Sequence, residues 1–438
     1  MQTETSFETV HSHSAGIDIG AEKIFVSVDG ATVVFFETYT ADYHRCIEYL
    51  KEHQVKGVAM EATGVYWIAL YEMLEKQGID VCLVNPKEVK QVKGRKTDVK
   101  DCQWIQKLFS AGLLRQSYIP SGGLKELRML VREREDVIEV GSAYVNKMQK
   151  ALELMNIKLT NVLSQLHGAS GIKMIEAILR GERDPDKLLA LCHKTIIKNK
   201  SERVRKALVG NYNETWLFLL RQNLKMWKQH QDHLLEIDKK IEAVLADLNK
   251  NNPTIESQAA IKPIRHHKPQ IEGLHQKLLN LYGINVSTLS GLTDYSLLRL
   301  VGETGNELSR FPTAKHFISW CQLSPRNSQS GKENRKIRLK NKSKAGQIFR
   351  EAAQTLLQSK KIAMGAFMRK IRSRKGGPIA IKAGARKIAM AYYNIITKGE
   401  EYVESGIKIY ESKQNARELK LLHLLAEKHK IQLNYQRN

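Results

Sequence analysis

Short apolar stretches that alternate with polar positions fill the first 90 residues, whereas long stripes of helical period fill much of the remainder. Over 15–20 the alternation predicts a strand in which Ile17 and Ile19 face one way while Gly16, Asp18 and Gly20 face the other. Residues 23–28 and 32–38 read as the next two strands of a meander, with Asp29-Gly30 as the hairpin turn. A helix over 41–53 follows. A strand over 55–60 then ends at Glu61 and runs through Ala62, Thr63 and Gly64 into a helix over 65–77. The next strand, 79–84, is stopped by Asn85-Pro86, and a further helix runs to about residue 112.

The order β-β-β-α-β-α-β-α, with two later strands in near-continuous apolar runs, predicts an α/β domain: a mixed sheet covered by helices, the ribonuclease-H-like layout. From 124 to about 167 the pattern becomes long, charged and helical, with Leu127, Leu130, Val131, Val137 and Ile138 near helical spacing. A second long helix is predicted over 201–250, where Leu217, Leu220, Leu224, Trp227, Leu234, Leu235, Ile237, Ile241 and Leu245 form a stripe. Such stripes pack as an antiparallel pair or as a coiled-coil dimer. Residues 181–185 read as a turn and 251–269, with three prolines, as a linker. His266 and His267 within it are adjacent, so they point apart and predict no metal site. From 271 the pattern is mainly α, through 295–301 and 313–321 to a Ser/Asn/Gly-rich loop over 324–332 and a final helix from about 416. The expected division is therefore 1–122, a helical middle over 123–270, and 271–438.

Composition narrows the class. The 438 residues are 42% hydrophobic, as in a folded protein. No apolar run approaches the roughly 20 residues that span a bilayer, and residues 1–14 are polar, so a cytosolic protein is expected. Cys46, Cys82, Cys102, Cys192 and Cys321 lack zinc or disulfide spacing. A formal charge of +24 changes the picture most, because an excess of that size gathers polyanions. Nucleic acid is the expected partner, ahead of an acidic membrane surface.

Candidate chemistry lies in carboxylates. Asp98 and Asp101 are three apart on the helix that follows Lys93, Arg95 and Lys96, so they share a face. Taken alone, that pair suits the first turn of a helix capped by Thr97. Asp18 and Glu61 make it a set of four, since the first and fourth strands are neighbours in this topology and their ends can face one helix. Four converging acids call for divalent cations such as Mg²⁺ that clamp attacking and leaving oxygens. A second candidate is Ser330, flanked by Gly331 and Lys332, with Ser328 as its rival. Beyond it Arg335, Lys336, Arg338, Lys340, Lys342, Lys344 and Arg350 form the densest basic segment, suited to phosphates. Tyr392-Tyr393 reads as core packing.

The strings Gly16-Ile17-Asp18-Ile19-Gly20, Met60-Glu61-Ala62-Thr63-Gly64, Val84-Asn85-Pro86 and Lys96-Thr97-Asp98-Val99-Lys100-Asp101 resemble the DEDD transposases of the IS-one-ten insertion-sequence family. So do Phe311-Pro312-Thr313, Trp320-Cys321-Gln322-Leu323-Ser324-Pro325 and Ser330-Gly331-Lys332 in the second half. The resemblance implies a RuvC-like first domain, a helical oligomerisation region and a C-terminal transposase domain. It further implies a DNA recombinase guided by a structured bridge RNA, in a prokaryotic cytoplasm and associated with the nucleoid. Asp18, Glu61, Asp98 and Asp101 would hold Mg²⁺, and Ser330 would be the nucleophile that joins DNA through a phosphoserine. Arg95, Lys96, Lys332, Arg335, Lys336, Arg338 and Lys340 would face nucleic acid, within a homodimer or homotetramer. One departure stands out: residues 282–287 lack the second glycine and the proline of the family's glycine-rich hairpin. The competing reading is a metal-dependent nuclease or Holliday-junction resolvase that hydrolyses DNA without a covalent intermediate.

Overall fold

The computed structural model describes residues 8–86, 89, 98–120, 122–256, 260–325, 327–330, 333–336, 343–359 and 362–433. They divide into two compact units, Met1–Ile119 and Pro120–Asn438.

In the first unit, strands β1 (Ser14–Ile19), β2 (Lys23–Ser27) and β3 (Val34–Glu37) form an antiparallel meander. Helix α1 (Thr40–Glu52) leads to β4 (Gly57–Glu61), and α2 (Trp67–Lys76) leads to β5 (Asp80–Val84). The sheet order is β3-β2-β1-β4-β5, with β4 parallel to both β1 and β5. This mixed, five-stranded, helix-covered sheet fits a ribonuclease-H-like domain. Period-two alternation sorts its faces. Ile17, Ile19, Ile24, Val26, Val58, Met60, Val81 and Leu83 join Tyr43, Leu50, Leu70 and Leu74 of α1 and α2 in one buried core. The opposite face carries Ala59 and Val84, which pack with Ile105 of helix α3 (Asp98–Ser110).

The turn between β2 and β3 is longer than the expected Asp29-Gly30 hairpin. Asp29 folds residues 28–33 around its own carboxylate, which accepts hydrogen bonds from the backbone N–H groups of Ala31 (2.8 Å) and Thr32 (2.7 Å). An aspartate that satisfies local donors favours such a loop over a two-residue turn.

The second unit is helical except for one hairpin among its described residues. Two long helices, Gly123–Leu154 and Glu214–Leu248, lie antiparallel: Gly123 meets Leu248 at one end, and Gly141 faces His230 midway. At one end Leu127, Val131, Ile241 and Leu245 join the core of residues 271–395. At the other, Met148, Leu152, Leu217 and Leu224 join a separate core with residues 155–208.

Both long helices are shorter than the periodicity predicts. The first ends at Leu154, and the predicted 201–250 helix is two, Lys194–Leu208 and Glu214–Leu248. The reason is a chain crossing. The N–H of Lys158 donates to the Ala207 carbonyl and that of Asn211 to the Met155 carbonyl, each at 2.8 Å. Gly210 permits the approach, since a β-carbon there would stand 2.4 Å from the Met155 oxygen. The last helix starts at Glu400 rather than near 416, because Gly399 (φ 89°) ends the preceding helix, Gly377–Lys398, and two glutamates favour the new N-terminus.

The loop expected over 324–332 contains strands β6 (Asn327–Ser330) and β7 (Glu333–Lys336). They pair antiparallel with Ser330 opposite Glu333 and Ser328 opposite Arg335, so two residues connect them. The pairing forms despite the low strand preference of Asn and Ser.

Candidate active site

Asp18 and Glu61 reach their places through the register of one ladder. Strands β1 and β4 pair in parallel with Ser14 opposite Gly57, Gly16 opposite Ala59 and Ile17 opposite Met60. One step further on, Asp18 and Glu61 follow on the face shared by Gly16 and Ala59. Both therefore stand at the C-terminal edge of neighbouring parallel strands, where α/β sheets bind their ligands. Glu61 is buried and Asp18 is half-buried.

Helix α3 covers this face, and small residues let it lie flush. A β-carbon on Gly16 would stand 2.2 Å from the Cys102 carbonyl oxygen, and one on Gly57 would stand 3.3 Å from the Phe109 ring. At the far end the Gln106 side chain is within 3.4 Å of both the Ser14 carbonyl and its hydroxyl. Phe109 over Gly57, Gln106 at Ser14 and Cys102 over Gly16 fix the helix direction as opposite to the strands. Its first turn, which begins at Asp98 and includes Asp101, is thereby carried to the edge that holds Asp18 and Glu61.

The electrostatics agree. Burial pushes the Cys102 thiol up to about 11, and the carboxylates of Asp18 and Asp101 both add to the shift. One sulfur thus lies within reach of both charges. A donor set of carboxylate oxygens suits a hard divalent cation. Among the described residues no group of three acid, histidine or cysteine side chains is placed to hold a metal ion.

Residues Lys93, Arg95, Lys96 and Thr97 lie outside the described residues, as do Gly331, Lys332, Arg338, Lys340 and Lys342. Arg335 and Lys336 belong to β7, across from Ser328 and Asn327. The carboxylates and the Ser330 hairpin belong to different units. Tyr392 is fully buried, with its hydroxyl 2.9 Å from that of Tyr282 and 3.0 Å from that of Thr304. Sequence reasoning missed the positioning roles of Gly16, Ser14 and Gln106. The signal was present in the Gly16-x-Asp18 alternation, which pairs a residue without a side chain with the acid two positions on.

Two comparisons with families bear on this geometry. A model of the DEDD transposase of IS110 matches residues 15–157, and a model of transposases of the IS116/IS110/IS902 family matches residues 285–369. No curated protein matches the chain. The first match holds all four acids, and a DEDD domain implies dependence on a divalent metal. Ser330 and its hairpin fall within the second. With two matches that together cover about half of the chain, the protein belongs to the IS110 family of transposases, enzymes that act on DNA.

Proposed function

We propose that this transposase cuts and rejoins DNA by serine attack, with Asp18, Glu61, Asp98 and Asp101 holding Mg²⁺ and Ser330 as the nucleophile. The reading is supported above all by the register that sets Asp18 and Glu61 side by side under the first turn of α3. When bound, divalent cations would supply charge neutralisation for the phosphate and its leaving oxygen.

The hydroxyl oxygen of Ser330 forms a bond to phosphorus, one bridging P–O bond breaks, and the released sugar hydroxyl takes up the proton. The phosphoserine keeps the bond energy, so a second DNA hydroxyl rejoins the strand without a nucleotide cofactor. A hairpin tip suits this role, because it presents the residue before its two-residue connection to an incoming backbone. Arg335 and Lys336 on β7, with Lys332, Arg338, Lys340, Arg95 and Lys96, supply positive charge for phosphates.

In the same reading residues 1–122 form the acidic domain, 123–270 a helical middle that joins subunits, and 271–438 the serine domain. Subunits assemble as dimers or tetramers, and a structured guide RNA selects donor and target DNA in a prokaryotic cell. The net charge of +24 supports so large a nucleic-acid load.

The test is a denaturing gel with end-labelled DNA. Wild-type protein should yield a protein-linked strand, and Ser330→Ala should lose it while Ser328→Ala retains it. An adduct of normal yield in Ser330→Ala overturns the nucleophile, and a free 5′-phosphate from wild type points to hydrolysis instead. Sequencing of the RNA that co-purifies with the protein tests the guide.

A further inference from the structure

A cavity of about 620 Å³ opens at the waist of the two long helices, between their two apolar cores. Cavities of roughly 300–1,000 Å³ accommodate small organic groups. Its lining combines three chemistries. Trp227 and His167, with ring centres 6.3 Å apart, form an aromatic wall. Arg265 and Lys268 are exposed on the segment that rims it.

Arg134 lies at depth, its side chain 2% exposed. Asp238 is the one acid among the described lining residues, and it is already engaged. It accepts from Arg134 Nε at 2.6 Å and from the Gln270 backbone N–H at 2.8 Å.

Two polar atoms here are buried without a hydrogen-bond partner among the described residues, Arg134 Nη1 and His167 Nδ1. Such groups make the floor beneath the cavity polar rather than apolar. Burial holds the His167 imidazole below its ordinary range, and His266 adds to that effect. At neutral pH it is therefore uncharged. The Trp227 ring, with the His167 ring tilted 55° to it, and the exposed cations together match a base with its phosphate. A lipid tail would leave Arg265 and Lys268 unused, and a bare phosphate would leave Trp227 unused.

We propose that this cavity takes one unpaired nucleotide of the enzyme's DNA, with its base against Trp227 and His167 and its phosphate at Arg265 and Lys268. The proposal rests on the protein's action on DNA and is independent of the serine step. Taking an unpaired base costs less than extruding a paired one, so the pocket would select distorted or single-stranded positions.

The experiment uses the full chain and a duplex that carries a single bulged 2-aminopurine, whose emission falls on stacking. Wild type should quench the bulged base, leave a paired 2-aminopurine unchanged, and prefer the bulged duplex by roughly tenfold. Trp227→Leu should abolish the quenching, Trp227→Phe should restore most of it, and Arg265→Ala with Lys268→Ala should remove the preference. Each variant should keep the wild-type melting temperature.

Equal affinity for bulged and paired duplexes without quenching overturns the proposal, as does quenching that persists in Trp227→Leu. A bulged RNA bound roughly tenfold more tightly than the DNA also overturns it. Loss of all DNA binding by wild type would instead strike at the protein's action on DNA.

Discussion

Gly16 lies so close beneath Cys102 that a β-carbon on the glycine would stand 2.2 Å from the cysteine carbonyl oxygen and 2.4 Å from the Gln106 nitrogen. Backbone on both sides leaves no flexible side chain to yield. Gly16→Ala should therefore lift α3 from β1, and overpacking of this kind costs about 1–3 kcal/mol. Urea denaturation should show the loss, and DNA cleavage should fall further than stability, because the helix carries Asp98 and Asp101. A variant with wild-type stability and activity would show that the approach has no positioning role.

Removal of charge from the strand edge should act on chemistry and spare the fold. Asp18→Asn and Glu61→Gln should each lower DNA cleavage by at least about a hundredfold. Thermal melts should stay close to wild type, because each substitution keeps the side chain's shape and relieves repulsion among neighbouring acids. Cleavage assays across a titration of Mg²⁺ and Mn²⁺ would check the metal dependence. Unchanged rates in both variants would refute the carboxylate assignment.

Arg134 and Asp238 form a buried ion pair, 2% and 1% exposed. Asp238→Ala would leave the buried guanidinium without its carboxylate, and breaking one side of such a pair costs about 3–5 kcal/mol. Replacement of both partners, Arg134→Met with Asp238→Leu, should cost less than the single change. A double-mutant cycle by chemical denaturation gives the comparison.

Lys262 serves as an internal tie. Its ammonium donates to the carbonyls of Ser287 and Leu289, each at 2.5 Å, and to that of Leu292 at 3.4 Å. Burial lowers its pKa, with Asp294 opposing the shift. Lys262→Met keeps the stem but leaves those carbonyls without the ammonium, for an expected loss of roughly 2–3 kcal/mol. Faster hydrogen exchange over 285–293 would localise the effect; unchanged exchange there would show that the turn is held by other contacts.

Acid should weaken the second unit through His167 and His267. Burial is the first cause that holds both below the ordinary histidine value of 6.5, with His266 and Arg134 as further causes. The unfolded chain therefore takes up protons first. Stability is fully present above that value and declines as pH falls from about 6.5 toward the depressed folded values. Urea midpoints at several pH values should show the decline, and His167→Gln with His267→Gln should flatten it.

Much of the first unit is legible in the sequence. Alternation in 15–20, the apolar runs after it and the acids at their ends predict the sheet and its C-terminal edge, because burial on one or both faces imposes its own period. The second unit was less legible. Leu217 to Leu245 announce a helix, yet nothing in that stripe shows that Gly210 ends the preceding one by passing the Met155 carbonyl. Ser330 was readable as an exposed serine beside cations, but its place opposite Glu333 depends on strand pairing that polar residues signal weakly.

The chain's own pattern was enough for most element types, the basic character and the candidacy of the four acids, since period, charge and residue chemistry are local properties. Tertiary structure alone decided that Asp18, Glu61 and Asp101 share one edge. It also decided that Arg134 pairs with Asp238 across two helices and that a cavity remains between their cores. Those relations depend on register and on close approach between segments far apart in the chain, which one residue such as Gly16 permits and no local pattern encodes.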